Sequence, residues 1–236
     1  MRVKNRLRLL ALIFCMICAN PVLAQQPASE LINKVKVKIE SVNNYSAEGR
    51  MKTNISFLKV PEADVKIYFK RPDKIRIVNE NGISLVPKGA VSITMNNILN
   101  NEGFTALDAG KEMLNNISVR VIKMVPDGDK GPIVLSTLYI DEKNLLVIKA
   151  KTTTRDNGTY ELEMVFGKYS SYALPDKILF AFNTKEYKLP KGVTFDYDDG
   201  TEKKKKTDNV DQNKGRVEIF YRSYVINKGV SDDIFK

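Results

Sequence analysis

Apolar and polar residues alternate along most of this 236-residue chain, and this pattern restricts the fold more than any other feature of the sequence. Alternation gives an extended strand one apolar and one polar face, because successive side chains point to opposite sides. The clearest case is residues 160–166, which read YELEMVF. The pattern predicts antiparallel strands that bury one face and leave the other in water.

The alternating segments and the turns between them predict a meander of strands. Turn signals occur at Arg71-Pro72-Asp73, Asp127-Gly128, Asn157-Gly158 and Asp199-Gly200. The predicted strands are residues 65–70, 75–77, 83–85, 91–95, 119–125, 133–140, 145–153, 160–166, 177–182, 193–197 and 216–226.

Two segments break the alternation. Near the start, apolar residues recur at spacings of three and four, which predicts an amphipathic helix capped by Ser29; they are Leu31, Ile32, Val35, Ile39 and Val42. Residues 96–116 mix Asn, Gly and Glu with a few apolar residues, and we interpret them as a loop plus a short helix.

Together, the predicted strands and helices indicate an α+β domain, a large curved antiparallel sheet of about ten or eleven strands covered by helices. Alternation alone leaves open whether the space between the layers is packed or hollow.

The first 24 residues have the pattern of a secretory signal peptide. Basic residues precede the apolar segment 9–19, and Val22-Leu23-Ala24 supplies small residues at the expected cleavage site. Cys15 and Cys18 follow bulky residues, unlike the lipid-bearing cysteine of a bacterial lipoprotein. We therefore expect a signal peptide over 1–24 and a single exported domain over 25–236 that is not itself lipidated.

The composition argues against most catalytic chemistry. The chain has no histidine, and its two cysteines lie in the first segment, so triads, Cys-His dyads and His- or Cys-ligated metals are excluded for the remainder. Glu161 and Glu163 share a strand face as two glycosidase carboxylates would, but we expect them to be solvated on the outer face. Acidic residues over 196–202 do not fit a calcium-loop register. We expect no enzyme activity, cofactor or metal.

The run Lys203–Lys206 lies in a charged insert over 203–213. It is typical of a solvated loop, although it could also dock on anionic lipid headgroups. Nucleic acid is not an expected partner, since no recognition motif accompanies the positive charge.

Several segments, in order, resemble the periplasmic lipoprotein carriers of LolA/LolB type. The opening helix is followed by a strand, Arg-Pro turn and strand, then by a hairpin and a Pro-x-Gly-Val element. These segments are Tyr68-Phe69-Lys70-Arg71-Pro72-Asp73-Lys74-Ile75-Arg76-Ile77, Ser84-Leu85-Val86 leading to Gly89, Tyr169 with Leu174-Pro175-Asp176-Lys177-Ile178, and Leu189-Pro190-Lys191-Gly192-Val193-Thr194.

The resemblance implies a half-open β-barrel with a helical lid that binds the acyl chains of lipoproteins. It implies a monomeric periplasmic carrier that receives lipoproteins from an inner-membrane transporter and delivers them to an outer-membrane acceptor. The family's lid-holding arginine corresponds to Arg71, which would hydrogen-bond to the lid and keep the cavity shut. The alternative for Arg71 is a solvated residue at a hairpin corner.

If the interior is hollow, the apolar residues of the alternating strands would line it, with methionines adapting to variable chains. The lining candidates are Val65, Ile67, Phe69, Ile75, Ile77, Val91, Ile93, Met95, Leu162, Met164, Phe166, Phe180 and Phe182. The same residues would form an ordinary core if the interior is filled. Three further functions remain open on the sequence: a lipid- or lipoprotein-sensing regulatory domain with the same cavity, an envelope structural protein with a solid core and, least favoured, an enzyme.

Overall fold

A computed structural model describes residues 27–55, 58–59, 61–79, 103–128, 131–156, 158–183 and 214–235. The predicted signal peptide, the predicted strands over 83–85, 91–95 and 193–197, and the Lys203–Lys206 run lie outside these residues.

Helix α1 spans Ala28–Glu40 and confirms the helix predicted from the three-and-four spacing. It begins one residue before Ser29, however, and Pro27 is the N-cap without any side-chain cap. The prediction of a Ser29 cap was therefore wrong: the fixed φ of proline preorganises the first turn, and the Pro27 carbonyl accepts hydrogen bonds from the amides of Glu30 and Leu31.

Each predicted strand that lies within the described residues corresponds to a strand of the structure, whereas the strands over 44–55, 58–59 and 104–114 are not among the predicted ones. The strands are β1 (Asn44–Ile55), β2 (Leu58–Lys59), β3 (Ala63–Lys70), β4 (Lys74–Asn79), β5 (Phe104–Leu114), β6 (Ile117–Pro126), β7 (Ile133–Asp141), β8 (Leu146–Thr154), β9 (Gly158–Val165), β10 (Lys177–Asn183) and β11 (Lys214–Ile226). Short 3₁₀ helices follow at Ser170–Tyr172 and Asp232–Phe235.

All strand pairs are antiparallel, and their order across the sheet is β4-β3-β1-β11-β10-β9-β8-β7-β6-β5, with β2 paired beside β1. Strands β5 to β11 lie side by side in the order in which they follow along the chain, and β1 lies between β11 and β3. In the described part of the chain β4 and β5 are the end strands and lie at opposite edges, so the sheet is open.

The helix predicted within 96–116 was wrong for residues 104–114, which form β5. This edge strand is exposed along most of its length, so neither face needs to be uniformly apolar. A bulge between Asp108 and Lys111 also breaks the alternation, with Gly110 at φ +93°. Glycine adopts this left-handed conformation without the penalty that a Cβ atom imposes.

The two faces of the sheet differ sharply in polarity. One face, here called the inner face, packs against Leu31, Ile32 and Val35 of α1 in a single hydrophobic cluster that includes residues from β1, β3 and β6 to β11. The opposite outer face has cross-strand ion pairs, such as Lys177 with Glu218. Val119, Leu146 and Ile148 form a second, smaller cluster, and Phe166 packs against both clusters.

Contacts of α1 show that the sheet curves around the helix. Lys38 reaches the carbonyl of Asn144 in the β7–β8 turn, and Glu40 contacts Arg71 in the β3–β4 turn. In a flat sheet these turns would lie about 24 to 29 Å apart at about 4.8 Å per strand. A helix is only about 10 to 12 Å wide with its side chains. The two turns can meet one helix end only because the sheet bends toward it.

A β-bulge in β11 keeps the apolar residues on the inner face. The pairing with β1 shifts between Glu48 and Gly49, and Arg222 is the extra residue. Inner-face positions therefore change from Val217, Ile219 and Tyr221 to Tyr224 and Ile226. A Cβ on Gly49 would lie 2.6 Å from the Phe220 carbonyl oxygen, so this close approach requires glycine.

The carboxyl-terminal segment covers the β4 edge. Asp232 accepts hydrogen bonds from Lys70 and Lys74, each at 2.8 Å, and Arg76 donates to the carbonyl of Ile234. The bonds from Lys70 and Lys74 lower the pKa of the Asp232 carboxyl to about 2. The edge of the sheet is thereby partly shielded from pairing with another chain. None of the helices in the described ranges is both long and apolar enough to span a membrane.

Candidate functional site

The structure brings most of the predicted lining residues together on the inner face. Six of them are buried in the main cluster: Val65, Ile67, Leu162, Met164, Phe180 and Phe182. Three are partly buried and pack against it: Ile75, Ile77 and Phe166. Phe69 is buried on the same face of β3, whereas Val91, Ile93 and Met95 lie outside the described residues. The lining role itself remains a prediction.

An aromatic group occupies one end of this face, next to the carboxyl end of α1. Tyr45 stacks on Phe69 with ring centroids 5.2 Å apart. Tyr224 contacts the rings of Tyr45, Tyr169 and Tyr221 at centroid distances of 5.4, 4.9 and 4.9 Å. The Tyr224 hydroxyl donates to the carbonyl of Pro175 at 2.7 Å. The group therefore combines apolar ring surface with the buried, hydrogen-bonded hydroxyl of Tyr224.

Burial disfavours the ionised form of three of these tyrosines. It raises the pKa of Tyr45, Tyr221 and Tyr224; the proximity of Tyr45 raises the pKa of Tyr221 further, and the proximity of Tyr221, Tyr45 and Asp176 raises that of Tyr224 further. Desolvation favours the uncharged phenol. The phenols of Tyr45, Tyr221 and Tyr224 therefore have no charge at neutral pH.

Sequence reasoning missed several residues of this face. Tyr221 and Tyr224 belong to it although their spacing of three does not fit a strand, because the Arg222 bulge lies between them. Residues of β6 to β8 also contribute, namely Ile122, Met124, Leu138, Ile140 and Val147. The alternation of β6 and β7 was visible in the sequence and could have placed their residues in the lining set.

Arg71 lies against the carboxyl end of α1. Its Nη1 donates to the backbone carbonyl of Glu40 at 2.8 Å, and its Nη2 contacts Glu40 Oε1 at 3.1 Å. The last carbonyls of a helix have no partner within it and carry partial negative charge, so an arginine there is stabilising. Arg71 is 30% exposed, and it contacts the helix rather than only solvent. The gating role of Arg71 stays a prediction.

A second contact holds the same end of α1 from the opposite side. Lys38 Nζ donates to the carbonyl of Asn144 at 2.6 Å. The β7–β8 turn that presents this carbonyl is organised by Asp141, whose carboxylate accepts bonds from the amides of Lys143 and Asn144. Burial lowers the pKa of Lys38, partly opposed by the attraction of Asp141. Helix α1 is therefore tied to both halves of the curved sheet at one end.

An ion cluster borders the apolar face near the β5 edge. Arg120, only 2% exposed, donates to Asp108 Oδ2 from Nε at 3.1 Å and Nη2 at 2.6 Å, and to Glu142 Oε1 from Nη1 at 3.1 Å. The hydrogen bonds to Arg120 lower the pKa of Asp108. Burial acts to raise the pKa of Glu142, but its bonds with Lys111 and Arg120 outweigh this effect and lower it. All three groups are therefore charged at neutral pH.

Glu161 and Glu163 lie on the outer face, as expected. Lys149 bridges them with its Nζ 2.9 Å from one oxygen of each. This contact lowers the pKa of Glu161, which is opposite to the raised pKa that a general acid requires. Within the described ranges, no group of three His, Cys, Asp or Glu residues is placed to hold a metal ion.

No protein-family model matches the sequence, and no curated protein matches it either. Solved structures with a similar fold do exist. A domain named as an outer membrane lipoprotein-sorting protein, from Vibrio parahaemolyticus, has a TM-score of 0.53 at 11% identity, covering 88% of this chain and 95% of that domain. A LolA-superfamily protein from Nitrosomonas europaea has a TM-score of 0.52 at 10% identity, covering 90% and 98%.

A DUF1329-family protein from Desulfovibrio piger is similar to the same degree, with a TM-score of 0.52 at 12% identity and coverage of 90% and 98%. These matches extend over almost the whole of each compared chain. At such low identity they concern the arrangement of the backbone. The resemblance to LolA-type proteins that the sequence segments suggested is thus confirmed in the fold: a curved, open antiparallel sheet around a helix.

Proposed function

We propose that this protein is a non-enzymatic carrier that binds the acyl chains of lipoproteins between the inner face and α1. The observation that carries the proposal is a continuous apolar face, contributed by strands from both halves of the sheet. In the described part of the chain this face is covered by α1, which packs on it through Leu31, Ile32 and Val35 and is tied to the sheet at its carboxyl end by Lys38 and Arg71. Such an interior is sheltered from water when empty and would be exposed by moving α1.

The energetic need for a carrier follows from the ligand. Exposing an acyl chain of about 15 methylenes to water costs roughly 12 kcal/mol, at about 0.8 kcal/mol per CH₂. A diacylated protein therefore leaves a membrane extremely slowly without help. An extended apolar surface inside a soluble protein offsets this cost, since burial of the chain is favourable roughly in proportion to its area.

The cellular setting is part of the proposal. With a leader over 1–24, the protein would act in the periplasm, receive lipoproteins from an inner-membrane releasing transporter and pass them to an outer-membrane acceptor. The fold shared with an outer membrane lipoprotein-sorting domain and a LolA-superfamily protein supports this role by analogy.

In this proposal Arg71 stabilises the ligand-free protein, in which α1 lies over the inner face. Its two contacts with Glu40 favour the position of α1 over the inner face. In this proposal α1 is displaced when lipoprotein is bound, so loss of these contacts should favour the loaded protein over the empty one. Contacts of this kind contribute about 1 to 2 kcal/mol, a five- to thirtyfold shift in the equilibrium. Arg71→Leu should therefore still take up lipoprotein but transfer it to an acceptor several-fold more slowly.

The experiment adds purified protein to spheroplasts, measures lipoprotein released into the supernatant, and then measures its transfer to outer-membrane vesicles. Wild-type protein should release and transfer lipoprotein. The matched control is Arg50→Leu, because Arg50 is 62% exposed and pairs with Glu62; this variant should behave like the wild type. A protein that binds lipoprotein but releases none would instead be a sensor, and equal transfer by Arg71→Leu would remove Arg71 from the mechanism.

A further inference from the structure

The hydroxyl of Thr53 is an exception on the inner face. Thr53 is 7% exposed, and its Oγ1 is the one buried side-chain N or O atom in the described part of the chain that has no hydrogen-bond partner. The residue lies in β1 between the buried Met51 and Ile55 and opposite Val217 of β11. Its described neighbours on the inner face, along β1 and across on β11, are therefore apolar.

Other buried hydroxyls of this face are paired. Ser136 and Thr152 hydrogen-bond to each other at 2.9 Å across β7 and β8, and Tyr224 donates to the carbonyl of Pro175. The sheet thus satisfies hydroxyls elsewhere with short contacts. A buried hydroxyl without a partner destabilises the state in which it occurs, and a group that accepts its hydrogen bond removes that penalty.

We infer that Thr53 donates a hydrogen bond to a carbonyl oxygen of a bound acyl ester or amide, and so selects ligands by the linkage at the head of the acyl chain. This inference rests on the proposed function, and it names a specificity-determining residue within the same interior. A neutral carbonyl suits an apolar surface, because burying it with one hydrogen bond costs far less than burying an ionised carboxylate.

The position of Thr53 suggests how the chain lies. Thr53 is near one end of β1, and Tyr45 of the aromatic group is eight residues away at the other end, about 27 Å along an extended strand. The intervening inner-face residues of β1 are apolar. A carbonyl at Thr53 therefore leaves the hydrocarbon to run along the inner face toward the aromatic group.

The test uses calorimetric titration of the full chain with two probes. They are dioctanoylglycerol, in which ester bonds link the chains to glycerol, and di-O-octylglycerol, in which ether bonds link them. Thr53→Val keeps the branched shape and removes the hydroxyl. Loss of one neutral hydrogen bond should weaken binding of the ester about two- to twelvefold and leave ether binding unchanged. The empty Thr53→Val protein should melt no lower than the wild type, since no hydrogen bond is lost from it.

Thr152→Val is the control for the loss of a paired buried hydroxyl: it strands Ser136 and should lower the melting temperature. Equal affinity changes for both probes, no change for either, or a lower melting temperature of Thr53→Val would overturn the inference while leaving the carrier proposal intact. If the wild type binds neither probe, the carrier proposal fails together with the inference.

Discussion

At the scale of single residues, Arg120 is the least exposed charged residue in the described structure. The guanidinium is almost fully buried, and both of its carboxylate partners are about 30% exposed. A buried charge is tolerated only when its hydrogen bonds are satisfied. Arg120 therefore depends on Asp108, which accepts two of its three side-chain bonds to carboxylates.

Asp108→Ala should lower the free energy of unfolding by about 2 to 3 kcal/mol, somewhat less than for a buried charge left with no partner. Urea titration at pH 7 measures this. The difference from wild type should be full above the unfolded Asp pKa of about 3.9 and shrink as the pH falls through the lowered pKa of the folded state, because the protonated carboxyl loses its attraction for Arg120.

The control is Lys111→Ala, which removes an ion pair whose lysine is 54% exposed. Exposed pairs of this type contribute less than about 1 kcal/mol. A loss from Asp108→Ala no larger than that of Lys111→Ala, or one that does not depend on pH, would contradict this account of the cluster.

The sequence could predict individual residues only where alternation is regular. Val65, Ile67 and Phe69 were assigned correctly to one face because β3 has no bulge. Tyr224 could not be assigned, since its face depends on the extra residue Arg222. The unpaired hydroxyl of Thr53 is a property of its three-dimensional neighbours and has no signature in the order of residues.

At the scale of elements, α1 connects the two halves of the curved sheet through its contacts with the β7–β8 and β3–β4 turns. The spacing of its apolar residues predicted the helix and its buried stripe, and Leu31, Ile32 and Val35 do face the sheet. The family resemblance had led us to expect a contact between Arg71 and a covering helix, and Arg71 does contact α1. The contact of Lys38 with the β7–β8 turn had no signal in the sequence, because it follows from tertiary structure alone. Strand β5 was not predicted because it is an exposed edge strand with a bulge, and such a strand needs no regular apolar face.

If ligand uptake requires α1 to move, linking it to the sheet should block uptake. Lys38→Cys with Asn144→Cys places two thiols where Lys38 now contacts the turn, in a chain that also has Cys15→Ser and Cys18→Ser. A cleavable bismaleimide bridge should reduce binding of dioctanoylglycerol at least tenfold, and cleavage should restore it.

The matched control bridges Lys177→Cys and Glu218→Cys, which replace an ion pair on the outer face and should leave binding unchanged. Full binding by the protein in which the bridge links α1 to the β7–β8 turn would show that acyl chains enter without displacement of this end of α1.

At the scale of the whole molecule, the curvature of the sheet brings the apolar faces of its strands together in one cluster against α1. Strand existence and an apolar face were predictable from alternation and turns. The strand order was not, because the pairing of β1 with β11 brings together segments that are distant in the sequence. The resemblance of a few short segments supplied the fold, and structural similarity over nearly the whole chain confirms it.

The central claim is that acyl chains bind on the inner face, beneath α1. The most direct measurement is photolabelling of the protein with a diacylglycerol that has a diazirine in its acyl chain, followed by peptide mass spectrometry. The account predicts labels at inner-face residues such as Ile67, Met164, Phe182 and Val35 of α1. Labels confined to exposed apolar residues of the outer face, such as Val165 and Phe220, would contradict it.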